Sequence, residues 1–140
     1  MTDLVKQAVP FFLVSDIEAS RRFYVDGLGF EMTEKWVDDD GRLRWCWLAN
    51  GGAAVMLQEA PKEGSHTWEP EGRVGEGVSI YFICEDALAI FHDTRERGIE
   101  ALRMPFVGNG MWIASFADPD GYKLFFESPT DVAEETEYDP

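Results

Sequence analysis

A passage that reads as strand then helix around Val14-Ser15-Asp16-Ile17 returns seventy positions later around Cys84-Glu85-Asp86-Ala87. Each half then closes on an apolar stretch ending in glutamate, Ala54 to Glu59 and Tyr122 to Glu127, an offset of sixty-eight. A half-domain present twice confines the chain to folds in which two like units pack together. The space between their open sheet faces is where such a chain would hold a ligand.

The order within each half follows from local signals. Ala8 to Val14 is a short apolar run, and Ser15 with Glu18 three residues on forms a capping pattern that starts a helix. Ile17, Phe23, Tyr24 and Leu28 recur at helical spacing until Gly29. Phe30 to Val37, Leu43 to Ala49 and Ala53 to Gln58 read as strands, separated by turns at Asp38-Asp39-Asp40-Gly41 and Asn50-Gly51. The second half has a strand over Val78 to Cys84, a helix from Asp86 to Arg97, and a strand-like passage from Ala101 to Met104. Two closing strands, Met111 to Ala117 and Tyr122 to Glu127, are joined by Asp118-Pro119-Asp120-Gly121, which suits a tight turn. The reading is α+β: two tandem βαβββ modules, about 8–59 and 77–127, forming cupped mixed sheets with helices outside. A Pro- and Gly-rich connector spans 60–76, so one domain fills 1–128 and an acidic tail covers 129–140.

Charge narrows the partners. The chain carries −15, of which six acids and no base fall between Glu127 and Pro140, leaving about −9 on the rest. The tail is therefore expected to be a solvated extension. Phosphate backbones are repelled, so nucleic acid is not an expected partner, and a small organic molecule of cationic or aromatic character is favoured. No apolar run approaches the roughly 20 residues of a membrane span, and the first residues lack a secretory pattern, so a cytoplasmic location is expected. Cys46 and Cys84 fall within strands and read as reduced, buried thiols.

Val-Ser-Asp-Ile-Glu-Ala-Ser-Arg-Arg-Phe-Tyr at 14–24, Gly-Leu-Gly-Phe at 27–30 and Asp-Pro-Asp-Gly-Tyr-Lys-Leu-Phe-Phe-Glu at 118–127, with the paired modules, resemble the vicinal oxygen chelate superfamily. That group includes glyoxalase I, extradiol dioxygenases, methylmalonyl-CoA epimerase, and fosfomycin- and bleomycin-resistance proteins. The resemblance covers roughly residues 8–128 and is closest in kind to the bleomycin-resistance branch. In metal-using members it implies one ligand on the first and last strand of each half, which here fall at Val9, Leu57, Ser79 and Phe125. None is a usual ligand of a divalent ion, so neither metal nor other cofactor is expected. His92, within the second helix, and His66, in the connector, read as ordinary surface or packing residues. His66 and Trp68 are also candidates to fold over a pocket.

Strand alternation from those positions puts Val9, Phe11, Leu13, Val55 and Leu57 on the ligand side, with Ser79, Tyr81, Ile83 and Phe125 from the second half. Phe12, Val14, Met56, Ile80, Phe82, Leu124 and Phe126 would face the helices. Trp45 and Trp47 share a strand face, and Trp112 lies on the corresponding strand of the other half; all three are candidates to stack on a planar or cationic ligand. Arg42 and Arg44 fall on the opposite face from Trp45, where salt bridging is expected. Glu59 and Glu127, at the strand ends, are weak candidates for acid and base chemistry. The leading expectation is a metal-independent small-molecule binding protein with a largely apolar aromatic cavity. Alternatives are a glyoxalase- or lyase-type enzyme with unusual or no metal ligands, and a non-catalytic interaction or regulatory module. A homodimer is the expected assembly, because such modules leave sheet edges exposed.

Overall fold

The computed structural model describes residues 4–59 and 73–140; His66 and Trp68 fall outside the described residues. Module 1 comprises β1 (Phe11–Val14), α1 (Ile17–Arg21) continued by a π-helical segment (Arg22–Gly27), β2 (Glu31–Val37), β3 (Leu43–Asn50) and β4 (Ala53–Glu59). Module 2 comprises β5 (Ser79–Ile83), α2 (Ala87–Glu96), β6 (Phe106–Gly108), β7 (Met111–Ala117) and β8 (Lys123–Pro129). The two four-stranded sheets have the orders β1-β4-β3-β2 and β5-β8-β7-β6, each with one parallel pair and two antiparallel pairs. This is the α+β duplication of βαβββ that the sequence implies.

Three local details differ from the sequence reading. Helix α1 is capped by Asp16 rather than Ser15: its carboxylate accepts from the Glu18 and Ala19 amides at 3.1 and 3.2 Å. The Ser15 amide instead donates to Asp120 of the other module. Second, the strand expected over Ala101–Met104 begins further on, as β6, because the Leu102 amide is held by the Ser115 carbonyl without forming a ladder. Third, the acidic tail keeps most of its side chains exposed, as its charge implies, but is docked on the domain by hydrogen bonds. Val107 donates to the Thr136 carbonyl, the Glu135 and Tyr138 amides donate to Val107 and Pro105, and Glu134 accepts from the Asn109 and Gly110 amides. Tyr138 then packs against Phe91 and Trp112 and its hydroxyl lies 2.7 Å from His92 Nε2.

Helix α1 packs on β3 and β4, and α2 packs on β7 and β8. One apolar core runs through both modules: Phe12, Val14, Ile17, Tyr24, Leu48 and Leu57 are continuous with Phe82, Phe91, Phe116, Leu124 and Phe126. The modules are stitched by Phe30 against Phe82, by Phe12 stacked on Tyr122 at 4.2 Å, and by the Arg97 guanidinium on the Gly27 carbonyl. Tyr24, fully buried, donates its hydroxyl to Asp118 at 2.9 Å. No described helix is long and apolar enough to cross a membrane.

Candidate functional site

Each sheet covers one face with its helix, and among the described residues no helix lies over the other, here called the open face. Cross-strand partners point to the same side, so the register assigns that face residue by residue. In sheet 1, Phe11 pairs with Met56, Met56 with Trp47, and Trp47 with Glu34; Leu13 pairs with Gln58, Gln58 with Trp45, and Trp45 with Trp36. The open face of module 1 thus carries Phe11, Trp36, Trp45, Trp47 and Met56, with Gln58 and Glu34 as polar members. Phe11 and Trp36 are 49% and 58% exposed, while Trp45, Trp47 and Met56 are half-buried.

In sheet 2, Tyr81 pairs with Phe125 and Phe125 with Ser115, while Ile83 pairs with Glu127 and Glu127 with Ile113. Tyr81 and Phe125 stack at 4.6 Å, nearly parallel, as Ser79 and Ile83 stand exposed on either side. The structure therefore brings seven of the sequence candidates onto open faces: Phe11, Trp45 and Trp47 on one sheet, and Ser79, Tyr81, Phe125 and Glu127 on the other.

Leu57 and Trp112 are not among them. Leu57 pairs with Phe12 and Cys46 and is fully buried in the core. Its neighbour Met56 holds the open-face position, so Val55 and Leu57 exchange sides with Met56 relative to the sequence reading. The cause lies in the offset. Phe12 pairs with Leu57 as Phe82 pairs with Phe126, which sets the closing strands sixty-nine positions apart rather than sixty-eight. One residue of slip inverts every side chain on a strand. Trp112 pairs with Ser128 and Val107 and packs edge-on against Tyr138, on the helix side of its sheet.

The same register separates the two glutamates. Glu59 is equivalent to Ser128, and Glu127 to Gln58. Glu59 is 3% exposed; its Oε2 accepts from the Ile17 amide at 3.0 Å, and its Oε1 meets Arg42 and, at 3.5 Å, Arg44. Ser128 Oγ accepts from the Ala87 amide at 2.9 Å in module 2. Both side chains satisfy the first free amide of a helix, a requirement no pairwise sequence pattern reveals. Glu59 is thus withdrawn from the open face, and Arg42 and Arg44 form the expected salt bridges with it. Burial raises the Cys46 thiol to about 11 and lifts Cys84 in the same direction; both are free.

With the register corrected, the four positions of the expected ligand set are Val9, Met56, Ser79 and Phe125. They do not fit a divalent metal: two lack donors, a thioether is a soft ligand and a serine hydroxyl a poor one. Among the described residues no group of three or more His, Cys, Asp or Glu is placed to share an ion. The residues missed by sequence reasoning are Trp36 and Met56. Trp36, the penultimate residue of β2, was legible in principle, since strand alternation puts it on the same face as the charged Glu34.

Residues 6–126 match the family profile described as Glyoxalase/Bleomycin resistance protein/Dioxygenase superfamily. Among solved structures, the chain is similar to TnmS3, an antibiotic binding protein from Streptomyces sp. CB03234: 26% identity, TM-score 0.66, covering 91% of this chain and 100% of that one. A glyoxalase/bleomycin resistance protein from the same strain gives 26% identity and TM-score 0.64, covering 86% and 98%. TioX from Micromonospora sp. ML1 shares the fold at 17% identity and TM-score 0.71, covering 90% and 100%. No curated protein sequence matches.

Proposed function

Because the chain belongs to the Glyoxalase/Bleomycin resistance protein/Dioxygenase superfamily, we propose that it is a metal-independent binding protein for a planar organic molecule. The observation that carries the reading is the composition of the open face of sheet 1. Four aromatic rings, Phe11, Trp36, Trp45 and Trp47, together with Met56, stand on one surface that no helix of the described residues covers. Exposed apolar patches of that kind mark binding surfaces. Tyr81 stacked on Phe125 supplies a second platform with a phenolic hydroxyl to orient the ligand. Glu34 and Glu127 add negative charge to the same faces, which favours a neutral or cationic ligand. The antibiotic-binding neighbour at 26% identity supports a small-molecule ligand of this general kind. A homodimer that brings the open faces of two copies together remains part of the proposal.

Intrinsic tryptophan fluorescence tests it directly. Titration with a panel of planar cationic and neutral polycyclic compounds should give saturable quenching, with Trp47→Ala weakening the affinity about 2–12-fold, as expected for loss of one stacking contact of about 0.5–1.5 kcal/mol. Elemental analysis of untagged protein should find no stoichiometric divalent ion. A tightly held metal, or a panel in which no compound binds, would overturn the reading.

A further inference from the structure

The duplication makes each module a template for the other, and one of their differences lies at the turn between the two closing strands. In module 2 the turn between β7 and β8, Asp118–Tyr122, is pressed against the outer edge of β1. Tyr122 stacks on Phe12, its hydroxyl donates to the Leu13 carbonyl at 2.9 Å, and Asp120 accepts from the Ser15 amide at 3.2 Å. In module 1 the equivalent turn lies between β3 and β4 and faces the outer edge of β5. The pairings Ala49 with Ala54 and Ala117 with Lys123 align the two turns. Asn50 then stands for Asp118, Ala53 for Tyr122, and Gly51-Gly52 for Pro119-Asp120-Gly121. The ring, the hydroxyl and the carboxylate that seal β1 have no counterpart at β5.

What occupies their place is a cavity of about 580 Å³ bounded by Asn50–Ala53 on one side and Tyr81–Glu85 on the other. That volume falls within the range of small-molecule sites. Cys84 donates its amide to Glu127 of β8, so in a parallel ladder the backbone groups of its neighbour Ile83 point the opposite way, toward the cavity. The Ile83 carbonyl is the counterpart of the Leu13 carbonyl that Tyr122 satisfies. Among the described residues none donates to it. The wall is mixed: Phe82, the half-buried Cys84 and the exposed Ile83 give apolar surface, while Asn50, Tyr81, Glu85 and the turn backbone give polar surface. Phe126 and Phe30 pack on the ring of Phe82, which is buried and reaches the cavity only at its edge.

We infer that this cavity is a second binding site, for a small hydroxyaryl molecule whose ring fills the space Tyr122 fills in the other module and whose hydroxyl donates to the Ile83 carbonyl. It lies along the edge of β5, apart from the tryptophan face of sheet 1, and does not depend on the function proposed for that face. Exposed Glu85 at its mouth disfavours an anionic ring substituent.

The test uses the full chain and p-cresol, the isolated side chain of tyrosine, followed by amide chemical shifts. The expected result is saturable shifts at Gly51, Gly52, Ile83 and Glu85, with toluene binding about 2–10-fold more weakly for want of one hydrogen bond. Ala53→Tyr, which restores the missing plug, should reduce p-cresol affinity at least tenfold. Should that variant fail to fold, Gly52→Leu serves, because a side chain at Gly52 meets nothing within 4 Å and points no backbone into strain. Absence of saturable shifts at these amides, equal binding of toluene, shifts confined to the Trp45 and Trp47 indoles, or undiminished binding in the filled variant would each overturn the inference.

Discussion

Glu59→Ala should cost far more stability than its position at the end of a strand suggests. The Ile17 amide is the first free donor of α1, and Glu59 Oε2 is its acceptor at 3.0 Å inside a site where the glutamate side chain is 2% exposed. Leaving a buried amide without a partner costs about 1–3 kcal/mol. The pairs with Arg42 and Arg44, whose side chains are 49% and 26% exposed, add no more than about 1 kcal/mol after solvent screening. The expected loss is therefore about 3 kcal/mol. At roughly 2.1 cal/mol/K of unfolding entropy per residue over 140 residues, that is a fall in Tm of about 10 °C. Glu59→Gln keeps a neutral acceptor and should lose about half as much. Ser128→Ala removes the equivalent but neutral bond at 2.9 Å in module 2 and should lose about 1 kcal/mol, or 3–4 °C. Differential scanning calorimetry at one pH and salt concentration reads all three. Equal shifts for Glu59→Ala and Ser128→Ala, or a fall below 3 °C for Glu59→Ala, would refute the helix-anchor reasoning. Loss of ligand binding with Tm unchanged would return Glu59 to the functional site.

Two further perturbations probe the contact between modules. Burial holds the Asp118 carboxyl above its ordinary value of 3.8, opposed by amide donors from Tyr122 and Asp120 and by the Tyr24 hydroxyl. The folded state therefore binds this proton more tightly than the unfolded chain, and the associated stability is present at low pH and lost as pH rises through the folded value. Relative to Asp118→Asn, the parent protein should lose stability in urea melts as pH rises from the ordinary carboxylate value of 3.8; a difference that is flat or grows with pH would contradict it. Gly27→Ala places a Cβ 2.0 Å from Ile99 Cδ1, so it should cost about 1–3 kcal/mol, and Ile99→Val, which removes that methyl, should restore most of the loss in the double variant. Additive losses in chemical denaturation would mean that the two residues do not share the clash.

The candidate site was legible in proportion to how strongly each strand alternates. On β5, polar Ser79 and Tyr81 stand against Ile80 and Phe82, and the sequence assigns the two faces as the register does. On β4 the run Ala53-Ala54-Val55-Met56-Leu57 is apolar at every position, so no period-2 signal exists and the face had to be borrowed from the repeat offset. The matching glutamates at 59 and 127 suggested an offset that was wrong by one, since one of them anchors a helix and the other does not. Trp112 fell to the same cause: its strand, Met111 to Ala117, has apolar or small residues on both faces. The charge of the tail did not reveal its docking, because Glu134 is held by backbone amides at Asn109 and Gly110, and Tyr138 reaches an aromatic pocket that exists only once α2 and β7 are packed.

By itself the sequence determined the duplication, the βαβββ order and the tight turns, because these rest on local patterns of capping, spacing and turn chemistry that a short stretch of chain carries within itself. It also determined that the four expected ligand positions hold no usual set of metal donors, whichever register is taken. Tertiary structure alone decided which face of β4 meets the open side, that Glu59 completes a helix instead of a cavity, and that one module is sealed by Tyr122 while the other is left open at Ala53. Those are questions of register and of which distant group satisfies a given backbone amide or carbonyl. They are settled by hydrogen bonds and packing between segments far apart in the chain, and no window of sequence contains both partners.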